Sequence, residues 1–304
     1  MKKLLTFLSI SFVMAGVNLV SGQTGPTDSA RSLADYLATK PGYAKTKAGM
    51  IAFRSATKPI VGVAVHRAAN EFAPENTLSA IQIALDLEVD YIEMDVRQTR
   101  DGHSILLHDG SLDRTTNGKG PVNQMNFSDV RALSAGTWFD AFFANEKVPT
   151  LEEACRLLSE HNAKFSHKTY FYVDCKEINA EVLLDELTKY QLLEGSVFYI
   201  NEEKQIGQIR ALAPQAKILP GLDNRSDLDK TIDAIHPYAL DANWKELSKE
   251  MIDKAHAKGV KIFSDGFGGN MNTESYVRAI QAGIDVISTN KVSVIFEAAS
   301  KIMK

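Results

Sequence analysis

Short apolar runs recur along the chain, separated by stretches with helical spacing. The runs are Ile60–His66, Tyr91–Val96, Ser104–His108, Tyr170–Lys176, Ser196–Ile200, Ala216–Leu219, Tyr238–Asp241, Lys261–Phe263 and Asp285–Ser288. Helical patterns fall at Thr77–Leu87, Thr150–Glu160, Ala180–Tyr190, Glu202–Leu212, Ser248–Lys258 and Thr273–Ala282. Strands that read as continuous apolar runs and alternate with helices predict a parallel sheet covered by helices. One junction differs. Only Arg97–His103 separates the second run from the third, too short for a parallel crossover. Asp101-Gly102 within it is a favoured centre of a two-residue hairpin. Ser104–His108 is therefore expected to return antiparallel. A two-residue turn would pair Arg100 with His103 and set Asp95 directly across from His108. Eight parallel strands remain, the number that closes an α/β (β/α)8 barrel.

Three segments interrupt this pattern. Residues 109–149 are long for a loop and poor in strand pattern, and read as a small insertion over the barrel top. At the N-terminus, Lys2 and Lys3 precede an apolar run from Leu4 to Val20, then Ser21 and Gly22. This is the pattern of a signal peptide over residues 1–22, with a membrane anchor as the alternative. Residues 23–58 read as a polar leader with a helix near Ala30–Ala38, and residues 59–304 as the barrel. The expectation is an exported protein, periplasmic or secreted, with no stable membrane anchor after cleavage.

Composition narrows the classes. The chain has 304 residues, 44% hydrophobic and 24% charged, with a formal charge of −4. These values exclude a disordered chain and a disulfide-dense miniprotein. The mild acidity argues against a nucleic-acid partner. Cys155 and Cys175 are the two cysteines. They read either as a disulfide, which an exported protein would allow, or as buried thiols.

Barrel enzymes build their sites at the carboxyl ends of the strands. Those ends carry His66 and Arg67, then Glu93 and Asp95 two apart on one face, then His108, then Asp174 and Lys176 two apart. Glu93, Asp95 and Asp174 offer three carboxylates to one point. A hard divalent cation, Ca²⁺ or Mg²⁺, would relieve their repulsion. Arg67, Lys176 and that cation make a positive focus for a phosphate, and two histidines beside it supply a base and an acid.

The sequence around these residues resembles the glycerophosphodiester phosphodiesterase family. His66-Arg67-Ala68 and Ala73-Pro74-Glu75-Asn76-Thr77 follow its H-R-G…P-E-N-T opening. Glu93-Met94-Asp95-Val96, Thr99-Arg100-Asp101-Gly102 and His108-Asp109 follow E-x-D-V…T-x-D-G…H-D. Leu112-Asp113-Arg114-Thr115-Thr116-Asn117-Gly118 matches L-D-R-T-T-N-G. Gly136-Thr137-Trp138-Phe139 and Val148-Pro149-Thr150-Leu151-Glu152-Glu153 continue the likeness. The resemblance implies a barrel phosphodiesterase releasing glycerol 3-phosphate and an alcohol. It implies His66 and His108 as the acid–base pair, Glu93 and Asp95 as ligands of one divalent cation, and Arg67 on the phosphate. Asp174-Cys175-Lys176 stands where the family has E-x-K. Ala68 replaces a glycine, Asn290 ends the stretch matching I-T-D, and Ser264-Asp265-Gly266-Phe267 stands where many relatives carry W-T-V-N. A phosphodiesterase for inositol-type or lipid headgroups would use the same two histidines. It would expose apolar residues such as Phe139, Phe142 and Phe143 around the mouth. An inactive ligand-binding barrel would bind without turnover, and a Schiff-base lyase would use Lys176.

Overall fold

The computed structural model describes residues 32–55, 60–222, 227–266 and 271–302. The predicted signal peptide lies outside the described residues. The chain enters as helices α1 (Leu33–Ala38) and α2 (Pro41–Arg54), followed by strand β1 (Gly62–Val65), α3 (Leu78–Asp86), β2 (Tyr91–Gln98) and β3 (Ser104–Leu106). Helix α4 (Phe127–Ala132) lies in the insertion, before α5 (Leu151–Lys164). Strand and helix then alternate as β4 (Tyr170–Cys175), α6 (Ala180–Lys189), β5 (Val197–Tyr199) and α7 (Glu203–Leu212). Next come β6 (Lys217–Leu219), β7 (Gly221–Leu222), α8 (Leu228–Ile235), β8 (Ala239–Ala242) and α9 (Lys249–Ala257). The last elements are β9 (Lys261–Asp265), α10 (Thr273–Ala282), β10 (Val286–Thr289) and α11 (Val292–Ile302).

All nine apolar runs form strands. Among the described residues nine strands are parallel, in the order β6-β5-β4-β2-β1-β10-β9-β8-β7, with β3 antiparallel to β2. β6 and β7 are two halves of one barrel position, broken at Pro220, which has no N–H to donate to a ladder. The first half pairs with β5 and the second with β8. The Tyr238 N–H donates to the Ile218 carbonyl at 2.9 Å and the Asp241 N–H to the Pro220 carbonyl at 2.9 Å, so the ring closes through this segment. The result is the expected α/β barrel of TIM type, with eight positions. The sequence pattern missed β7, since Pro220-Gly221 reads as a strand end.

The hairpin register corrects the expectation. Thr99, not Arg100, pairs with His103, through Thr99 N–H to His103 carbonyl at 3.0 Å. The turn holds three residues, with Gly102 at φ 82°. A two-residue type I′ turn needs positive φ at both centres, and Asp101 does not adopt it. Its carboxylate instead accepts from the Thr99 hydroxyl at 2.6 Å and from the Phe127 N–H of α4 at 2.9 Å. The slip sets Leu107 across from Asp95.

From Leu33 onward, the stretch read as a polar leader belongs to the barrel unit. Phe53 is fully buried, with its ring 5.7 Å from that of Phe296 on α11. Arg54 donates to the Glu88 carbonyl and pairs with Asp90 at 3.0 Å. Its polar surface hid this helix from the sequence reading, because only one face is apolar. The insertion encloses its own cluster of Ile105, Leu107, Leu112, Val122, Val130, Ala135 and Val148. Phe142 stacks on Tyr36 of α1 at 4.3 Å and Phe143 is buried beside both. These rings therefore pack the insertion inward and do not form an apolar apron at the mouth. Cys155 and Cys175 are free, buried thiols.

Candidate active site

Strand alternation builds the site. The barrel interior is floored by Ala64, Tyr172, Val197, Leu219, Ala239, Phe263 and Val286. Side chains two residues further along each strand share the same face. That rule sends His66, Asp174, Tyr199, Gly221, Asp241, Asp265 and Ser288 to the mouth in one step. Glu93 and Asp95 lie level with Tyr172 and Asp174 in the β2–β4 register.

Glu93, Asp95 and Asp174 each bring a carboxylate oxygen within 4.8 Å of the other two. Glu93 and Asp95 are buried. Burial, reinforced by Asp95 and Asp174, pushes the Glu93 carboxyl well above its ordinary value. Burial also raises Asp174, partly countered by its ion pair with Lys176. For Lys176, burial alone would lower the pKa, but Asp174, Asp95 and Glu93 outweigh it and hold the amine charged. This removes the basis for a Schiff-base nucleophile. Lys176 Nζ is 3.4 Å from Asp95 Oδ1, and that oxygen has no hydrogen-bond partner. Three clustered carboxylates, one of which has a buried oxygen without a hydrogen bond, fit a hard divalent cation.

Asn76 clamps Asp95 from the loop after β1. Its Nδ2 donates to Asp95 Oδ2 at 2.7 Å, and its Oδ1 accepts from the Asp95 N–H at 3.2 Å. Arg67 turns the chain toward the same carboxylates. Its N–H donates to Glu93 Oε2 at 2.5 Å, and its Nε lies 3.7 Å from Asp95 Oδ2 without a hydrogen bond. Its Nη1 donates to Glu75 at 3.0 Å.

The two histidines are oriented by different partners. His66 Nδ1 meets Asn290 Oδ1 at 2.7 Å, and Asn70 Nδ2 donates to the same oxygen at 2.7 Å. An amide oxygen only accepts, so Nδ1 carries the proton and Nε2 keeps its lone pair. Burial lowers the His66 pKa to about 4. His108 Nδ1 meets Asp109 Oδ1 at 2.7 Å. Arg97 holds the His108 carbonyl with two N–H donors at 2.9 and 2.8 Å. Arg114 binds Asp109 and also Glu75, both through two contacts. Its hydrogen bond holds Asp109 below the usual carboxylate range. A continuous polar chain thus links His108, Asp109, Arg114, Glu75 and Arg67. The sequence reading brought together His66, Arg67, Glu93, Asp95, His108, Asp174 and Lys176, and the structure gathers all seven at one mouth. It missed the tasks of Asn76, Glu75, Asp109, Arg114, Arg97 and Asn290. The P-E-N-T, H-D and L-D-R-T-T-N-G stretches were the available signal for the first four.

Asp241 and Asp265 were also missed as site residues. Both face the mouth, on the wall opposite β2 and β4. The Tyr172 hydroxyl donates to Asp241 Oδ2 at 3.2 Å. Burial pushes Asp241 up to about 7 and, with Asp241 and Asp174 nearby, Asp265 up to about 9. Strand parity around each was the available signal.

A profile described as the glycerophosphoryl diester phosphodiesterase family matches residues 66–294. The glycerophosphodiester phosphodiesterase of Caldanaerobacter subterraneus subsp. tengcongensis is 29% identical over 235 residues, covering 75% of this chain and 93% of its own. A crystal structure of glycerophosphodiester phosphodiesterase from Agrobacterium tumefaciens superposes with a TM-score of 0.70 at 26% identity, over 78% of this chain and 99% of that one. A phosphodiesterase from Oleispira antarctica, solved with the product sn-glycerol-3-phosphate, superposes with a TM-score of 0.70 at 20% identity, over 79% of this chain and 96% of that one. The last likeness is one of fold.

Proposed function

This chain belongs to the glycerophosphoryl diester phosphodiesterase family, a phosphoric diester hydrolase fold and site, and from that premise we propose an exported, metal-dependent enzyme that hydrolyses glycerophosphodiesters to glycerol 3-phosphate and an alcohol. The observation that carries this reading is the convergence of two histidines, two cations and three clustered carboxylates on one barrel mouth. Export rests on the charged and apolar N-terminal pattern, and no helix among the described residues is long and apolar enough to cross a membrane. Mass spectrometry of the protein made in a bacterial host should show a chain outside the cytoplasm beginning at Gln23. An intact N-terminus would remove the export reading.

Glu93, Asp95 and Asp174 would hold one divalent cation, Ca²⁺ or Mg²⁺. Bound there, the ion would supply Lewis-acid stabilisation of charge on the phosphate oxygens. Arg67 offers its unpartnered Nε–H to a phosphate oxygen, and Lys176 adds a second positive charge. His66, neutral with its proton on Nδ1, accepts the proton of the attacking hydroxyl on Nε2. His108, oriented by Asp109, protonates the departing alkoxide. Asn290 and Asn70 keep His66 in the tautomer that this requires.

The test is glycerol 3-phosphate release from glycerophosphodiesters by residues 23–304, in EDTA and then with Ca²⁺ or Mg²⁺ restored. Metal-dependent release is expected. No release with either ion, from folded protein, would overturn the reading.

A further inference from the structure

The two acidic walls of the mouth face each other. Counting positions around the eight-membered ring, β8 lies opposite β2 and β9 lies opposite β4. Asp241 therefore confronts Asp95, and Asp265 confronts Asp174. Ser288 on β10 stands level with Asp265. Asp241 is 9% exposed and Ser288 1% exposed, and Asp241 Oδ1 and Ser288 Oγ have no hydrogen-bond partner. A buried carboxylate oxygen without a donor is rare in a native interior and calls for an explanation. Gly221 pairs with Asp241 in the β7–β8 register. A Cβ there would meet the Tyr199 hydroxyl at 2.9 Å, so the glycine leaves room for that ring beside Asp241.

Charge sharpens the point. Glu93, Asp95, Asp174, Asp241 and Asp265 face inward as five carboxylates, against Arg67 and Lys176. Arg67 and Lys176 both lie against the β2–β4 carboxylates, and no ion pair of Asp241 or Asp265 occurs among the described residues. A bound phosphodiester then adds one more negative charge. The mouth is left short of positive charge on the β8–β9 side, away from the phosphate-holding residues.

Building on the reading under Proposed function, we propose that Asp241, Asp265 and Ser288 form a subsite for an unsubstituted ammonium on the leaving alcohol, selecting glycerophosphodiesters with a primary-amine headgroup. A primary ammonium brings N–H donors for Asp241 Oδ1 and Ser288 Oγ together with the charge. A quaternary ammonium has no N–H to give, and a neutral polyol has no charge.

The experiment compares kcat/KM of the full mature chain on glycerophosphoethanolamine, glycerophosphocholine and glycerophosphoglycerol. The ethanolamine substrate is expected to lead by about tenfold or more, the value of a charge-assisted hydrogen bond. Asp265→Asn and Asp241→Asn, near-isosteric changes, should collapse that ratio. Calorimetric binding of the three compounds to the His108→Ala variant reads the same preference without turnover. Activity on all three substrates at equal kcat/KM would overturn the subsite while leaving the enzymatic reading intact. An equal loss on all three in the Asn variants would assign these residues to the glycerol arm instead. A second divalent ion per chain, lost in Asp241→Asn, would assign them to metal. Absence of turnover on every substrate would strike the reading under Proposed function, and the calorimetry would still decide the subsite.

Discussion

Arg67, Ala68 and Asn76 lie in the left-handed region at φ 54°, 62° and 56°, where side chains are disfavoured. The strain is held by hydrogen bonds: Arg67 N–H to Glu93, Ala68 N–H to the Glu93 carbonyl at 2.9 Å, and Asn76 N–H to the Arg67 carbonyl at 3.0 Å. The family's glycine at the Ala68 position has a physical reason in that φ. Asn76 earns its place by fixing Asp95. Asn76→Ala should weaken divalent-cation affinity by about 10–100-fold, measured by calorimetry, while the melting temperature shows that the chain still folds. Unchanged affinity would mean that Asp95 needs no clamp. His66→Ala and His108→Ala should each lower turnover by about 10²–10⁴. Near-wild-type rates in either variant would sink the acid–base assignment. The seven principal site residues were legible in the sequence because strand periodicity gives faces and ends. Asp109, Arg114 and Asn290 were not assigned tasks, because their partners are far away along the chain or depend on a turn.

Helix α5 joins the insertion to the barrel. Thr150 caps it by accepting from the Glu153 N–H, and the Glu153 carboxylate reaches back to the Thr150 N–H at 2.9 Å. The same carboxylate takes two N–H donors from Arg131 of α4. Thr150→Ala should cost about 1 kcal/mol, seen as a melting point lower by about 2–4 °C. No change would mean the Arg131 contacts alone hold the helix start. Helix α2 makes a stronger claim on the fold. Phe53→Ala should cost about 3–5 kcal/mol in denaturant unfolding, because Phe53 is fully buried. A chain begun at residue 59 should accordingly be less stable than one begun at residue 23. Equal stability would return α2 to the status of a leader. Sequence pattern located most strands and helices, but not β7, α2, α4, α8 or α11, and not the length of the β2–β3 turn. The turn was decided by Asp101 bonding to Thr99 and Phe127, a contact between segments that no local rule contains.

At the scale of the whole molecule, the mouth concentrates buried acids, and this sets the response to pH. Asp241 and Asp265 are raised to about 7 and about 9, so the folded state binds their protons more tightly than the unfolded state. Their contribution is present at low pH and is lost as pH rises through those values. Below about pH 6.5, the neutral buried His66 and His161, both lowered to about 4, act in the opposite direction. Thermal stability in EDTA should therefore decline between about pH 6.5 and 9, and Asp265→Asn should flatten the decline. A profile that rises over this window would contradict the charge distribution described. By itself, the sequence determined the alternation of strands and helices, the face on which each strand-borne side chain lies, and the motif residues of the site. These are local properties, written in period-two and helical spacing. The tertiary structure decided what depends on ring closure and on distant partners. It joined β6, β7 and β8 around Pro220, slipped the hairpin by one residue and bound α2 to α11. It also set Asp241 and Asp265 across the mouth from Asp95 and Asp174, because only a closed barrel turns positions on separate strands into opposing walls.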